Sequence, residues 1–193
     1  MIRIDLPTDD RTVRGLKCGD YVEIFGVLMT GRDAAHSYLF KQHRPEFVDR
    51  LKGTFIYHCG PVVKRAGDGW KVLSAGPTTS TREEPFQAKV IADYGIKGVI
   101  GKGGMGQKTL DALKEFGAVY LSAVGGAGAL AAASVKKVRN VYLLDEMGVP
   151  DAFWELEVEA FPAIVTMDAH GESLHKKVQA DSERVFKELI EQK

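Results

Sequence analysis

The chain has 193 residues, 45% hydrophobic and 27% charged, an ordinary globular composition long enough to bury one sizeable core. Lys plus Arg equals Asp plus Glu at 26 each, so no global field draws it to nucleic acid or an anionic membrane, and any anion binding must come from local placement. The first residues lack the apolar core of a signal peptide and no segment reaches the ~18 uninterrupted apolar residues of a membrane span, so a cytoplasmic protein is expected.

No internal repeat or Pro/Ser-rich linker divides the sequence, and glycine punctuates short apolar runs, which points to one mixed α/β domain over residues 1–193. Asp20 to Leu28 alternates as a strand and ends at Thr30-Gly31-Arg32-Asp33. From Ala34 to about Leu51 the apolar spacing suits a helix broken near Pro45, and Thr54 to Tyr57 reads as a strand. Val62 to Lys64 and Trp70 to Ala75 look like two strands around the Gly67-Asp68-Gly69 turn. Phe86 to Tyr94 has helical spacing, Gly98 to Ile100 is a short strand, and Thr109 to Phe116 is an amphipathic helix. Ala118 to Ala123 is the next strand, and Gly125 to Leu130 leads into an alanine-rich helix. Trp154 to Met167 reads as strand interrupted at Phe161-Pro162, and Asp168 to Gly171 turns the chain. A final helix, Ser182 to Glu191, presents Val185, Phe186, Leu189 and Ile190 on one face.

Gly101-x-Gly103-x-x-Gly106 matches the dinucleotide fingerprint literally, but Leu121-Ser122-Ala123 stands where the acidic ribose ligand should follow, and Lys102 would crowd the pyrophosphate. Gly106-Gln107-Lys108-Thr109 resembles a P-loop with one residue too many between glycine and lysine. What survives is a glycine turn whose backbone N–H groups and helix N-terminus favour an anion such as a carboxylate, with Lys102 adding full charge. In Gly76-Pro77-Thr78-Thr79-Ser80-Thr81-Arg82, Thr81 with Glu84 fits a capping box. A cap needs one hydroxyl, whereas this turn has four plus Arg82, which suits a bidentate carboxylate. Arg32, in Thr30-Gly31-Arg32-Asp33-Ala34-Ala35-His36, adds a second arginine just after a strand. His58 reads as a satisfied strand-end histidine, His170 and His175 lack metal spacing, and Asp145-Glu146 and Glu155, Glu157 and Glu159 read as solvated faces. Cys18 and Cys59 are expected to be small half-buried thiols in a reducing compartment, too few for an iron–sulfur cluster, which takes three or four thiolates.

Taken together, Gly31 to His36, Gly76 to Arg82 and Gly101 to Gly106, with Gly125-Gly126 and Phe161-Pro162-Ala163 after them, resemble the β subunit of class I fumarate hydratase and L-tartrate dehydratase. The same unit forms the C-terminal domain of the single-chain enzymes. The resemblance covers nearly the whole chain and implies a swivelling β/β/α domain with a mixed, partly barrel-like sheet flanked by helices. It implies reversible hydration of fumarate to L-malate, with a [4Fe–4S] cluster ligated by a partner α subunit and not by this chain. Carried over by motif, Thr78 is the acid/base residue, and Arg32, Arg82 and Lys102 bind the dicarboxylate. The partners expected are therefore a cluster-bearing subunit and a small dicarboxylate, in a hetero-oligomer, with self-association open for the isolated chain. Phe161-Pro162-Ala163 favours fumarate over L-tartrate. Two other functions compete: a nucleotide-dependent oxidoreductase resting on Gly101, Gly103 and Gly106, and a non-catalytic dicarboxylate-binding domain in which Thr78 has no chemical task.

Overall fold

A computed structural model describes residues 1–41 and 45–191. In chain order the first half comprises β1 (Ile2–Asp5), α1 (Asp10–Arg14), β2 (Tyr21–Thr30), α2 (Asp33–Phe40), a 3₁₀ turn (Val48–Arg50), β3 (Phe55–Tyr57), β4 (Val62–Ala66) and β5 (Gly69–Ser74). The second half adds a 3₁₀ turn (Ser80–Glu83), α3 (Glu84–Tyr94), β6 (Gly98–Gly101), α4 (Gln107–Phe116), β7 (Val119–Ser122), α5 (Gly128–Ala133), β8 (Val135–Tyr142), α6 (Leu144–Met147), β9 (Phe153–Met167) and α7 (Leu174–Glu191).

Seven strands form one sheet in the order β1-β2-β3-β6-β7-β9-β8, and β2 also pairs with β9. That extra pairing closes β2, β3, β6, β7 and β9 into a five-stranded barrel, with β1 and β8 appended. β2, β3, β6 and β7 are mutually parallel, whereas β9 runs antiparallel to β2 and β7. β4 and β5 form a separate hairpin. The mixed, partly barrel-like sheet flanked by helices is as the resemblance implies.

The short strands are buried on both faces, which is why they read as continuous apolar runs. Phe55 and Tyr57 face the barrel interior with Ile24, Leu28, Ile100, Leu121, Trp154 and Phe161. Ile56, between them, packs outward under α2 and α3 with Leu39 and Val90, and on the neighbouring flank Val99 and Tyr120 pack under α4 with Leu110 and Leu113. The alternation follows the two-residue period of a strand.

Several expectations need correction. The segment Ala34 to Leu51 contains α2, which ends at Phe40, and only the short Val48–Arg50 turn; the rest of that reading at 42–44 lies outside the described residues. β9 is not interrupted at Phe161-Pro162. Pro162 pairs with Glu23 of β2, while the pairings of β9 with β8 stop at Val158 and those with β7 begin at Ile164, so this stretch is an edge on one side, where a missing N–H costs nothing. β8 carries no clear alternation and was not expected. The final helix is longer than read, starting at Leu174. Glu155 is not solvated: it is 2% exposed and accepts from Arg50 Nη1 at 2.9 Å, Asn140 Nδ2 at 2.5 Å and Tyr142 OH at 3.2 Å.

Candidate active site

Because β2, β3, β6 and β7 run parallel, their carboxyl ends open on one rim, the usual place for ligands in such sheets. Arg32 follows β2, His58 to Gly60 follow β3, Lys102 follows β6, and Ala123 to Gly126 follow β7. A further segment reaches the same rim from the β4–β5 hairpin. Its Thr78 N–H donates to the His58 carbonyl at 2.7 Å, Lys102 N–H donates to the Thr78 carbonyl at 3.3 Å, and Ser80 N–H donates to the Lys102 carbonyl at 3.0 Å. Thr79 and Lys102 form a parallel bridge. Thr78 and Lys102 are thus held side by side by main-chain bonds, although 24 positions separate them in sequence.

Arg32 stands at the N-cap of α2. Its side chain passes over Gly60, where a Cβ would lie 2.6 Å from Nη1 and 2.9 Å from Cδ, so only glycine leaves room for it. Arg32 Nε is buried and has no acceptor among the described residues. Arg82, in the 3₁₀ turn after Thr78, makes a short ion pair with Asp33, the neighbour of Arg32. A Cβ on Gly125 would lie 3.5 Å from Lys102 Cδ, which brings the β7 loop to the same place. All four candidate residues therefore belong to turns gathered on one rim.

The electrostatics of this rim favour an anion. Arg82 pairs with Asp33, and among the described residues neither Arg32 nor Lys102 makes an ion pair, whereas Glu83 is fully buried and its carboxyl is pushed up to about 8, chiefly by burial and then by Asp33. At neutral pH Glu83 is mostly protonated and leaves the cationic excess intact. His36 and His58 are held below the usual histidine range, first by burial, so neither adds charge.

The anion expected at the N-terminus of α4 is supplied by the protein itself. Glu84 Oε2 accepts from Gly106 N–H at 2.7 Å and Thr109 Oγ1 at 2.7 Å, and Oε1 accepts from Thr109 N–H at 3.2 Å. The capping box of Thr81 with Glu84 does not form, because that carboxylate caps the next helix. Nor does Phe161-Pro162-Ala163 approach the rim: it pairs with Val22, Glu23 and Ile24 at the opposite end of β2, with Phe161 packed against Tyr57 inside the barrel at a ring separation of 5.2 Å. In this chain it is a strand-pairing and packing motif.

Beneath the rim lies a buried polar chain that sequence reasoning missed. His36 Nδ1 is 2.9 Å from the Arg32 carbonyl oxygen, Gln87 Oε1 lies 3.0 Å from His36 Nε2 and 2.9 Å from His58 Nε2, and His58 Nδ1 is 2.9 Å from Ser80 Oγ. Tyr120 OH donates to Ser80 Oγ at 2.9 Å and accepts from Gly104 N–H at 3.3 Å. His36 and Ser80 fall within motifs visible in the sequence, whereas Gln87 and Tyr120 occupy ordinary helix and strand positions and give no signal.

Among the described residues no group of three or more His, Cys, Asp or Glu is placed to hold a metal ion. The only two thiols, Cys18 and Cys59, both pushed up to about 12 mainly by burial, are fewer than the three or four thiolates a cluster takes. The residues present do not fit ligation of an iron–sulfur cluster by this chain.

A family model described as Fumarase C-terminus matches residues 1–178. The chain is 51% identical over 183 residues to a putative fumarate hydratase class I of Geobacillus stearothermophilus, covering 94% of this chain and 35% of that protein. It is 42% identical to a putative L(+)-tartrate dehydratase subunit beta of Methanocaldococcus jannaschii, covering 93% of this chain and 94% of the relative. Identity to the L(+)-tartrate dehydratase subunit beta of Escherichia coli is 37%, over 94% of this chain and 88% of the relative. The chain thus spans about a third of the fumarate hydratase and nearly all of the two subunits.

Proposed function

The chain belongs to the fumarase C-terminus family, and we propose that it is the β subunit of a class I hydro-lyase that adds water reversibly across fumarate to give L-malate. The observation that carries this reading is the gathering of Thr78 with Arg32, Arg82 and Lys102 on one rim that holds a cationic excess and a buried Arg32 Nε with no protein acceptor. A dicarboxylate answers both features: one carboxylate accepts from Arg32, and the other neutralises Lys102 or draws Arg82 from Asp33.

In the dehydration direction a proton leaves the carbon beside a carboxylate and hydroxide leaves the adjacent carbon. Negative charge builds on that carboxylate as the proton goes, and fixed cations around it lower the barrier. Thr78 is assigned the proton transfer at carbon. A threonine hydroxyl is a weak base, and Lys102, held beside it by the 3.3 Å main-chain bond, supplies charge that favours its alkoxide. The main-chain bonds on both sides of Thr78 fix its position, so part of the rate comes from orientation.

The cluster of such an enzyme belongs, in this reading, to an α subunit, since the thiols of this chain do not fit it. The names of the subunit relatives support a two-subunit assembly, and the half-site on the open rim supports completion by that partner. A reducing cytoplasm suits the two free thiols.

L-tartrate dehydration is the second reading, favoured by one observation: the relatives that this chain matches over most of their length, 94% and 88%, carry that name. The experiment that tests both is co-expression with a cluster-bearing α subunit, anaerobic reconstitution, and turnover of fumarate and L-tartrate by wild type and Thr78→Ala. Fumarate turnover that needs both chains and falls at least 100-fold in Thr78→Ala supports the proposal. Turnover of L-tartrate alone moves the assignment to the second reading, and full activity in Thr78→Ala removes Thr78 from the chemistry.

A further inference from the structure

The buried polar chain links three site-bearing turns: it starts on the carbonyl of Arg32, passes Ser80, two residues from Thr78, and ends on the N–H of Gly104, two residues from Lys102. Its protons can be assigned by elimination. The Arg32 carbonyl oxygen only accepts, so His36 carries a proton on Nδ1. His36 and His58 are both fully buried, which disfavours a second proton on either ring. A neutral His36 has a bare Nε2, and the Gln87 amide must present NH2 to it. The structure turns the amide oxygen to both rings, which leaves the NH2 buried with no acceptor among the described residues, so the amide is to be turned over by 180°. An orphaned N–H is rarer than an under-used carbonyl oxygen.

We propose that Gln87 is a positioning residue whose amide donates to both His36 and His58, fixing each ring as the Nδ1–H tautomer and thereby bracing the turns of Arg32, Thr78 and Lys102 against one another. His36 then donates to the Arg32 carbonyl and His58 donates to Ser80, while the His58 carbonyl holds Thr78 N–H at 2.7 Å. Gly101 makes the brace possible: a Cβ there would fall 1.8 Å from Ser80 Oγ and 3.2 Å from His58 Nδ1. The brace contacts no substrate; it acts through the geometry of Thr78 relative to the cations. The functional consequence rests on the hydro-lyase reading above, whereas the tautomers do not.

Two measurements separate them. On the isolated chain, ¹⁵N NMR of the histidine rings is expected to show Nδ1 protonated and Nε2 bare for both His36 and His58. Gln87→Glu, which keeps the shape and when ionised can only accept, is expected to put a proton on Nε2 of the rings it faces. In the reconstituted complex the same variant is expected to lower kcat about 10-fold or more with KM changed less than about 3-fold, because a small misplacement affects reaction geometry more than charge attraction. Ser80→Ala, which removes the acceptor of His58, is expected to show the same split and serves if Gln87→Glu does not fold. Wild-type rings protonated on Nε2 overturn the proton assignment. Unchanged kcat in both variants overturns the positioning role, and a wild-type complex without turnover overturns the hydro-lyase reading while the NMR result still decides the tautomers.

Discussion

Two of the four candidate residues are placed by a neighbouring residue. Gly60 makes room for the Arg32 side chain, and the His58 carbonyl holds Thr78. Arg32→Met removes the buried donor and leaves the backbone untouched, so on the proposed hydro-lyase function KM for the dicarboxylate should rise at least 10-fold in steady-state kinetics while the thermal midpoint hardly moves. Glu83 offers a pH test. Its carboxyl is raised to about 8, mainly by burial, so the folded chain keeps a proton that the unfolded chain releases. Stability from this group is therefore full at low pH and declines as pH rises from the ordinary carboxylate range to about 8. Glu83→Gln removes the dependence, and its midpoint should exceed that of wild type by several degrees more at pH 8 than at pH 5. Parallel midpoint curves for the two proteins would show that Glu83 is not perturbed.

At the scale of elements, one carboxylate settles how two helices meet. Glu84 opens α3 and caps α4, satisfying Gly106 N–H, Thr109 N–H and the Thr109 hydroxyl at once. Three hydrogen bonds to a carboxylate at a helix N-terminus place the loss in Glu84→Gln at about 1–3 kcal/mol, or several degrees. Amide exchange in the first turn of α4 and in the Lys102 loop should rise in that variant; unaltered exchange would mean that the cap is dispensable. Strand β2 depends on Gly26, at φ +102°, where a Cβ would lie 2.4 Å from the Leu6 carbonyl oxygen. Here the β2–β9 register shifts, and Gly26→Ala should destabilise the barrel seam by more than 1 kcal/mol as an order of magnitude in denaturant titrations.

Across the whole molecule the barrel buries its contacts, and α7 shares in them only through its first turn, where His175 meets Thr166 Oγ1 at 3.0 Å and the ring of Tyr120. Its residues from Lys176 to Ile190 are exposed, including Val178, Phe186, Leu189 and Ile190, each more than half exposed. Removing residues 179–193 should therefore leave the thermal midpoint within about 2 °C of wild type by calorimetry; a larger fall would show that α7 stabilises the body. Among the described residues no helix is long and apolar enough to cross a membrane.

The elements themselves were largely legible in the sequence. β2, β3 and α3 to β7 follow from apolar period and glycine punctuation, because backbone geometry imposes those periods locally. The four candidate residues, Thr78, Arg32, Arg82 and Lys102, stood out in the sequence because their turns are richer in hydroxyl, charge and glycine than a turn requires. Tertiary structure decided what depends on partners distant in sequence: that β9 closes the barrel against β2, that Glu84 leaves Thr81 for α4, that Glu155 is buried, and that Gln87 joins two histidines. A hydrogen bond or a desolvated charge takes its energy from the group opposite, and which group that is becomes defined only when the chain has folded.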